Sequence, residues 1–584
     1  MPTRDSIPHR LLGQAQARPN AIAYQAKVNG RWQPTTWRGF VDQVRLAARA
    51  LIAQGFPRGG KVAILGFNRP EWVILDHAAM MAGGAPAGIY TTCSAEEVQY
   101  IVHHSEALVV LVEDAAQLAK VKAKRDDLPL LESIVMMRGV TATGSDVLTW
   151  DDFLAQGETI PESALDERIA AIEETDLATM IYTSGTTGPP KGVMLSHGNL
   201  SWTSRCLIDV AGGSFETDVS LSYLPLSHIA EQMATVHMPA SQGSCVFYAE
   251  SLEKIADNLK DSRPTVFFGV PRIWEKFHAA LSGKLAEVTG VKATLLKWAR
   301  KVCTQVNAVR DRGEPVPRRL AIQYAIANKL VIIKLKTALG FDRARNLISG
   351  AAPIAPDVLE FFASIDLPIR EIYGQSEDTG PTSFNLPGKT KIGTVGPPLP
   401  GLECKIADDG EILIRGPNVF LGYYKEPEAT AESLHDGWLC SGDLGAFDKD
   451  GFLTITGRKK EIIITAGGKN VAPKNIEAAL KQSPLIGEAV VIGDRRKYLT
   501  ALVTLDELAT KQMQPEQIRS TIQTQVDQVN STLARVEQVK KFAILARPFG
   551  IDSGELTPTM KIKRKVVAQK YASEIEAMYE GGGD

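Results

Sequence analysis

The sequence lacks a long uninterrupted apolar run, and this argues against a membrane-spanning helix. Its longest candidate, residues 73–90, contains Asp76, His77 and several glycines and prolines, whereas a spanning helix needs about 20 predominantly apolar residues. The first ten residues, MPTRDSIPHR, also lack the apolar centre of a secretory signal. We therefore expect a soluble, cytoplasmic protein.

Cysteine is scarce and scattered, so neither a zinc ribbon nor a disulfide framework is expected. No two cysteines form a CxxC pair, which both kinds of site commonly use. A reducing compartment agrees with this usage. The six cysteines are Cys93, Cys206, Cys245, Cys303, Cys404 and Cys440.

Neither sign of charge is in excess. The 65 Lys and Arg residues nearly balance the 67 Asp and Glu residues, giving a formal net charge of −2. A dedicated nucleic-acid-binding protein normally has a basic excess, so no nucleic-acid partner is expected. Hydrophobic residues at 44% and charged residues at 23% are ordinary for a folded protein. The 584 residues are enough for several domains.

Apolar β-like runs alternate with helix-like stretches up to about residue 400. This alternation is typical of βαβ units and largely parallel sheets, in which ligands bind beyond the carboxyl ends of strands. We therefore predict an α/β fold. The predicted strands are residues 61–66, 107–112, 178–183, 193–196, 265–269, 346–349 and 369–373, with helices at residues 71–82 and 356–364.

The pattern changes after about residue 401, where short β segments and charged turns prevail. The charged stretch GRKKE, residues 457–461, marks a boundary. We predict a large domain of residues 1–457 and a small α+β domain of residues 458–584, with a hinge at residues 458–461. The expected strands are residues 410–416, 451–456, 488–492 and 499–505, and the expected helices are residues 473–481 and 515–535.

Residues 282–339 are the least β-like part of the large domain, and two interpretations stay open. Residues 317–339 are apolar with interspersed lysines and arginines. Such a segment can lie on a membrane surface and collect a lipid substrate. It can equally be a helical insertion packed on the domain, because lysine side chains also extend to water at ordinary protein surfaces.

The segment YTSGTTGPPKG, residues 182–192, carries the strongest chemical signal. Its hydroxyl groups, its glycine backbone and its lysine together suit the binding of a polyphosphate. Its spacing does not match a Walker A loop. The predicted phosphate-binding residues are Thr183, Ser184, Gly185, Thr186, Thr187, Gly188 and Lys191.

Two other strand exits carry small or polar residues. GAAP, residues 350–353, would let a flat purine lie against the backbone, although an ordinary turn has the same composition. In YGQSE, residues 373–377, Tyr373 can stack on a base, Ser376 can bind phosphate, and Glu377 can hold a magnesium ion.

Together, and in this order, these motifs resemble those of the adenylate-forming (AMP-binding) enzymes, which include acyl-CoA synthetases, luciferases and nonribosomal adenylation domains. The resemblance runs from about residue 10 to 570. It implies a large N-terminal domain of packed mixed or parallel sheets with helices and a β-barrel-like subdomain, plus a small mobile α+β domain. It places adenine beside Gly350, Ala351, Ala352, Pro353, Tyr373, Gly374, Gln375 and Ser376.

The resemblance also assigns residues after position 437. Within WLCSGD, Asp443 matches the family's ribose-binding aspartate, and Arg458 matches an arginine that contacts the ribose. Lys460 matches the hinge position. Gly467 and Gly468, in AGGKN, border the passage for the pantetheine arm of CoA.

In PTMKIKRK, Lys561 matches the lysine that drives adenylation. Many members have glycine before this lysine, whereas this chain has Met560. His228, in PLSHIAEQ, matches a histidine between the carboxylate site and the acyl pocket. Some long-chain members have a gating tryptophan four residues later, but this chain has Gln232.

The resemblance implies a two-step ligase with Lys561, Glu377 and His228 as catalytic residues. A fatty acid and ATP would give acyl-AMP and pyrophosphate, and CoA would then give acyl-CoA and AMP. Magnesium on Glu377 would accompany ATP, and CoA is the co-substrate. The segments VPRIWEK, residues 270–276, and GFNRPEW, residues 66–72, resemble long-chain acyl-CoA synthetases of the bubblegum-type branch.

Three alternatives stay open from the sequence. The substrate could be a medium-chain or aryl acid. The chain could stop at acyl-AMP and load a carrier protein. In a different class, it could be an inactive lipid-binding or scaffold protein, although Lys191, Glu377, Asp443, Arg458 and Lys561 are all present. The sequence does not fix the oligomeric state, and the interspersed lysines leave peripheral membrane contact as an alternative to a purely soluble location.

Overall fold

The computed structural model describes residues 5–140, 144, 146–183, 188–212, 217–557 and 559–580. Two compact units divide the chain. The first comprises residues 1–351, 358–404 and 414–440, and the second comprises residues 352–357, 405–413 and 441–584. The predicted boundary between residues 457 and 458 stays a prediction.

The strands of the described residues are, in chain order, β1 (Ile22–Val28), β2 (Arg31–Thr36), β3 (Lys61–Leu65), β4 (Ala85–Ile89), β5 (Ala107–Val112), β6 (Ser133–Met136), β7 (Val147–Thr149), β8 (Leu177–Thr183), β9 (Lys191–Ser196), β10 (Val219–Ser222), β11 (Cys245–Tyr248), β12 (Val266–Gly269), β13 (Asn346–Ser349), β14 (Ile369–Tyr373), β15 (Ser383–Phe384), β16 (Glu403–Ile406), β17 (Glu411–Arg415), β18 (Gly422–Tyr423), β19 (Leu434–His435), β20 (Trp438–Phe447), β21 (Leu453–Arg458), β22 (Ile463–Ile464), β23 (Asn470–Val471), β24 (Ile486–Ile492), β25 (Leu499–Leu505) and β26 (Val539–Ile544).

The α-helices are α1 (Ile7–Ala17), α2 (Trp37–Ala53), α3 (Pro70–Met81), α4 (Ala95–Ser105), α5 (Ala115–Lys122), α6 (Trp150–Gly157), α7 (Glu162–Ala170), α8 (His197–Val210), α9 (Ile229–Gln232), α10 (Met238–Gln242), α11 (Ile255–Ser262), α12 (Pro271–Ala286), α13 (Gly290–Arg310), α14 (Arg318–Ala327), α15 (Ile333–Leu339), α16 (Pro356–Ser364), α17 (Pro427–Ser433), α18 (Pro473–Leu480), α19 (Glu507–Thr510), α20 (Pro515–Ser531), α21 (Arg564–Lys570) and α22 (Ala572–Tyr579). Within the described ranges, no helix is both long and apolar enough to cross a membrane.

An eight-stranded sheet, ordered β18-β9-β8-β4-β3-β5-β6-β7, forms the largest layer of the first unit. The strands from β8 to β7 in this order run parallel to one another, and β9 and β18 are antiparallel to their neighbours. Strands β4 and β5 are almost entirely buried, as expected for parallel strands that are covered on both faces. The predicted α/β class is confirmed.

Local sequence signals explain where the helices of this layer begin. Pro70 lies in the first turn of α3, where its missing N–H costs no helical hydrogen bond. A reciprocal capping box begins α4: the Ser94 hydroxyl accepts from the Glu97 N–H, and the Glu97 carboxylate accepts from the Ser94 N–H. All residues of α3 from Glu71 to Met81 are buried. The predicted βαβ units are therefore present.

The first unit also contains two smaller sheets. One is ordered β10-β11-β1-β2, and the other is ordered β12-β13-β14-β15. Strands β12, β13 and β14 run parallel. The exits of β13 and β14 therefore lie side by side at one edge of their sheet, which is where a ligand binds in such sheets.

The predicted helical insertion consists of α13, α14, a π-helical turn (Asn328–Ile332) and α15. We call these elements the helical insertion. Its inner face packs together through an apolar cluster of Ala299, Val302, Cys303, Val306, Ala327 and Ile332. This buried inner face agrees with the interpretation of residues 317–339 as part of an insertion packed on the domain.

The second unit contains a sheet ordered β24-β25-β26, with β24 antiparallel and β26 parallel to β25. Helices α18 and α20 contribute Ile476, Leu480, Ile518 and Ile522 to its buried core. Strands β20 and β21 form a hairpin whose turn takes five residues, 448–452. The small α+β part of the prediction is confirmed.

Candidate active site

The predicted phosphate loop joins two antiparallel strands, β8 and β9. Thr183 ends β8 and lies directly opposite Lys191, the first residue of β9. Gly188, between them, has a φ of 90°, a conformation that favours glycine. The predicted phosphate-binding residues Ser184, Gly185, Thr186 and Thr187 lie outside the described residues.

Tyr423 connects Lys191 to Glu377. The Lys191 ammonium lies 4.9 Å from the centre of the Tyr423 ring, a cation–π contact, and its Nζ is 3.8 Å from Glu426 Oε2. The Tyr423 hydroxyl donates to Glu377 Oε1 at 2.8 Å. Burial, with the Glu377 charge nearby, raises the pKa of Tyr423, so the hydroxyl keeps its proton and remains a donor. Sequence reasoning missed Tyr423, because it lies in the two-residue strand β18.

The YGQSE segment is held by tight packing after β14. A Cβ atom on Gly374 would lie 1.5 Å from the Gly380 carbonyl oxygen, so only glycine fits. Buried Asp378 accepts a hydrogen bond from the Gln375 N–H at 2.8 Å. The Asn418 amide donates to the Asp378 carbonyl at 3.0 Å. These contacts fix the segment that carries Ser376 and Glu377, and neither Asp378 nor Asn418 was predicted.

GAAP follows β13, next to the exit of β14. A Cβ atom on Gly350 would lie 2.7 Å from Cγ2 of Ile372, the residue before Tyr373. Ala351 has a φ of 69°, a conformation that costs energy for a residue with a side chain. Ala351 is exposed, as are Ala352 and Pro353, which belong to the second unit. Gly350 thus lets the two strand exits approach each other closely, as a flat binding surface requires.

His228 precedes the short helix α9 and caps it. Its Nδ1 accepts a hydrogen bond from the Ala230 N–H at 3.2 Å, so the neutral ring carries its hydrogen on Nε2. Four residues later, Gln232 is fully buried, and its Oε1 lies 3.4 Å from both Thr179 Oγ1 and His237 Nε2. No tryptophan gate occupies this position.

Glu231 is a buried carboxyl group that the sequence reasoning did not single out. It accepts hydrogen bonds from Thr235 Oγ1 at 2.7 Å, Ser222 Oγ at 2.9 Å and the Tyr223 N–H at 3.2 Å. Burial raises its pKa to about 7. The Glu231 carboxyl group thus connects helix α9 to the end of strand β10. The acidic residue in PLSHIAEQ was the only signal that could have revealed it.

In the second unit, Asp443 and Arg458 face each other across β20 and β21. They are directly opposed residues of the antiparallel ladder, and Arg458 Nε donates to Asp443 Oδ1 at 3.0 Å. Glu411 lies beside them, because its Oε1 accepts from the Gly442 N–H at 2.8 Å. The structure therefore brings together the two residues predicted to bind ribose.

Lys460 lies between two residues that are anchored by ion pairs. Lys459 contacts Glu411 at 2.8 Å and Asp409 at 2.6 Å, and Glu461 contacts Lys474 at 3.0 Å. Lys460 itself is exposed and makes no ion pair with any described residue. The partners of both ion pairs belong to the second unit, as Lys460 does, so the hinge at Lys460 stays a prediction.

Gly467 and Gly468 lie in the turn that joins β22 to β23. The turn is closed by a hydrogen bond from the Gly468 N–H to the Thr465 carbonyl at 2.8 Å. Gly468 has a φ of 73°, and a Cβ atom there would meet no atom within 4 Å. The backbone conformation of Gly468 therefore favours glycine, whereas the space around it would admit a side chain.

Lys561 is exposed at the end of a tight turn. The Thr557 N–H donates to the Lys561 carbonyl at 2.8 Å, and the Lys561 N–H donates to Thr557 Oγ1 at 3.0 Å. Met560 has a φ of 61° and is 62% exposed. The turn thus needs the left-handed conformation for which glycine is suited, although this chain has methionine.

The residues present could hold magnesium only together with ligands from outside the protein, such as phosphate oxygens and water. Within the described ranges, no group of three or more His, Cys, Asp or Glu side chains could hold a metal ion. Magnesium often takes one or two carboxylates and completes its shell with phosphates and water. Glu377 suits this role, since a carboxylate has two oxygens and its Oε1 already accepts from Tyr423.

Comparisons with known proteins show the family of this chain. Residues 11–424 match the AMP-binding enzyme family, and residues 460–582 match the AMP-binding enzyme C-terminal domain. The chain belongs to the AMP-binding enzyme family. Within this family, it is 39% identical to the long-chain-fatty-acid–CoA ligase ACSBG2 of Xenopus laevis, over 96% of this chain and 82% of that protein.

Two further relatives of this AMP-binding enzyme extend the comparison. It is 37% identical to the long-chain-fatty-acid–CoA ligase FadD15 of Mycobacterium bovis, over 98% of this chain and 97% of that protein. The crystal structure of the anthranilate–CoA ligase AuaEII with anthranoyl-AMP aligns with 99% of both chains at a TM-score of 0.75 and 20% identity. That likeness supports the fold alone.

Proposed function

We propose that this AMP-binding enzyme is an ATP-dependent long-chain fatty acid–CoA ligase. The fatty carboxylate attacks the α-phosphorus of ATP and releases pyrophosphate, giving acyl-AMP. The CoA thiol then attacks the acyl carbonyl carbon and releases AMP, giving acyl-CoA. The observation that carries the proposal is the similarity over at least 96% of the chain to proteins named as long-chain ligases.

In the first half-reaction, negative charge accumulates on the phosphoryl oxygens and on pyrophosphate. The phosphate loop and Lys191 meet that charge with donors and a cation, and Tyr423 holds Lys191 and Glu377 in one group. No covalent enzyme intermediate is needed, so positioning and electrostatic stabilisation supply the rate. Glu377 would hold a magnesium ion together with the phosphates of ATP, and the ion would neutralise part of this charge.

Separate sets of residues are assigned to the adenine and to the ribose of ATP. Gly350, Ala351 and Tyr373–Ser376 contribute the adenine surface. A carboxylate can accept two hydrogen bonds from a vicinal diol. The Asp443 carboxylate has this role for the two ribose hydroxyls. Arg458 orients Asp443 through its 3.0 Å hydrogen bond. Lys561 donates to the phosphoryl oxygens during adenylation.

His228 positions the fatty carboxylate. Its Nδ1 accepts a hydrogen bond from the Ala230 N–H, so Nε2 is the ring nitrogen that would donate to the carboxylate. In the second half-reaction, rotation at Lys460 withdraws Lys561, and the pantetheine arm passes Gly467 and Gly468.

A comparison of trapped products tests the proposal against an acyl-AMP ligase that loads a carrier protein. The purified chain is incubated with ATP, magnesium, palmitate and hydroxylamine, first without CoA and then with increasing CoA. A CoA ligase forms palmitoyl-CoA in preference to hydroxamate once CoA is added. Hydroxamate formation with no thioester at any CoA concentration would contradict the proposal and favour the carrier alternative.

A further inference from the structure

We propose that the outer face of the helical insertion binds the surface of a membrane that contains anionic lipid. The proposal concerns an interaction surface that lies outside every group assigned to the reaction above. It does not depend on which carboxylic acid the enzyme activates.

A row of exposed aliphatic side chains marks this face. Ile322, Ile326 and Leu330 are 63%, 47% and 46% exposed, respectively. They are spaced by four residues, so they follow one side of the helix. Single exposed aliphatic residues are common on soluble proteins, but an aligned row forms a continuous apolar patch of the kind that marks an interaction site.

Basic residues continue the same row at both ends. Arg318 lies four residues before Ile322, and Lys334 lies four residues after Leu330. Both are exposed, as are Arg319 and Lys329. None of these four side chains forms an ion pair with a carboxylate of the described residues, so their charges face outward.

The opposite face of the insertion is fixed to the first unit by polar contacts. The Tyr324 hydroxyl donates to Asp366 Oδ2 at 2.8 Å. Lys336 and Arg310 form ion pairs with the same carboxylate, at 2.5 Å and 3.1 Å. Because these contacts and the apolar cluster hold the inner face, the row from Arg318 to Lys334 is directed away from the core.

The local charge is strongly positive, in contrast to the chain as a whole. Residues 288–341 contain 11 Lys and Arg and 2 Asp and Glu, a net charge of 11 − 2 = +9, whereas the whole chain carries −2. The two acidic residues, Asp311 and Glu314, both precede α14. Residues 315–341 therefore contain no acidic side chain that would repel an anionic surface.

This combination of side chains favours a lipid surface over other polyanions. A helix that lies in the interface places aliphatic residues among the acyl chains and basic residues among the headgroups. Each lysine or arginine near an anionic bilayer strengthens binding by roughly fivefold. Single-stranded nucleic acid would instead require exposed aromatic side chains for stacking, and the exposed row is aliphatic.

Vesicle binding by the full-length protein tests the proposal. Sedimentation is measured with vesicles of phosphatidylcholine and phosphatidylglycerol at a 3:1 ratio, and with phosphatidylcholine alone. We expect at least about tenfold stronger partitioning to the anionic vesicles, weakening as salt is raised. Equal partitioning to both kinds of vesicle, or none to either, would overturn the proposal.

Two variants locate the surface. The triple substitution Ile322→Gln, Ile326→Gln and Leu330→Gln should lower partitioning by at least about tenfold, because it removes the buried apolar area. The matched control, Leu130→Gln, changes a residue that is 49% exposed elsewhere and should leave binding unchanged. Unchanged binding by the triple variant would overturn the proposal.

A charge variant covers the case in which the triple variant does not fold. Arg318→Gln with Lys334→Gln changes only exposed residues and should lower partitioning to anionic vesicles by at least about tenfold. Near-ultraviolet circular dichroism and activity without vesicles check that each variant is folded. A concentration-dependent dimer that the triple variant abolishes, without vesicle binding by the wild type, would assign the face to a second copy of the chain and overturn the proposal.

Discussion

Arg458 donates from Nε to Asp443 Oδ1 at 3.0 Å, and the two residues are directly opposed in the β20–β21 ladder. The contact joins the carboxylate proposed to bind ribose to the first residue of the predicted hinge. Arg458 can thus fix the orientation of Asp443 in addition to any contact of its own with the nucleotide.

Substitution of Asp443 should weaken nucleotide binding. Each hydrogen bond to a charged group contributes about 1.5–3 kcal/mol, so loss of both ribose bonds in Asp443→Ala should lower kcat/KM for ATP by at least roughly 150-fold. Initial rates with 2′-deoxy-ATP and 3′-deoxy-ATP provide the control. The wild type should discriminate against both analogues, and the variant should not. A variant that keeps the wild-type discrimination would contradict the ribose role.

Lys561→Ala should separate the two half-reactions. Adenylation, measured by ATP–pyrophosphate exchange, should fall by about 10²–10³-fold, the scale for removal of one donor to the transition state. Thioester formation from supplied acyl-AMP should persist. Lys565→Ala, an exposed lysine four residues away, serves as the matched control and should preserve both. Equal loss of both half-reactions in Lys561→Ala would contradict the role of Lys561 in adenylation.

Met560→Gly should stabilise the turn that carries Lys561. A left-handed conformation costs roughly 1–2 kcal/mol for a residue with a Cβ atom, and part of this gain is offset because glycine orders at a greater entropy cost. We expect a net gain of about 0.5–1 kcal/mol. Met560→Ala keeps the Cβ atom and is the control. Hydrogen exchange of residues 556–563 is measured for both variants. Equal protection of these residues in the glycine and alanine variants would contradict the prediction.

Glu231 should make stability depend on pH near neutrality. Its folded pKa is raised from 4.5 to about 7, so the folded state holds a proton that the unfolded chain releases from about pH 4.5 upward. Stability from this group therefore falls as pH rises to about 7 and then levels off. Glu231→Gln should lose that slope. Urea unfolding at pH 5, 6, 7 and 8 provides the measurement, and parallel profiles for both proteins would contradict the prediction.

The fold was largely predictable because its signals are local. The predicted strand at residues 107–112 coincides with β5, and the helix predicted at residues 71–82 corresponds to α3, Pro70–Met81. Apolar runs with bounding turns determine such elements whatever lies around them. Helix α20 ends at Ser531, four residues before its predicted end.

The contacts within the site depend on residues that are far apart in sequence. The hydrogen bond from Tyr423 to Glu377 spans 46 residues, and the contact between Asn68 and Glu231 spans 163. Tyr423 lies in no motif, and the motifs around Asn68 and Glu231 do not show that these two residues are in contact. Motif resemblance identified Glu377, but it could not identify the tyrosine that holds it.

The central claim is that the chain activates long-chain fatty acids as CoA thioesters. The most direct test is kcat/KM for acyl-CoA formation with saturated acids from C8 to C18 and with benzoate, at fixed ATP, magnesium and CoA. A long-chain ligase should show values that rise toward the long-chain end, with thioester as the product. A maximum at C8 or with benzoate would contradict it.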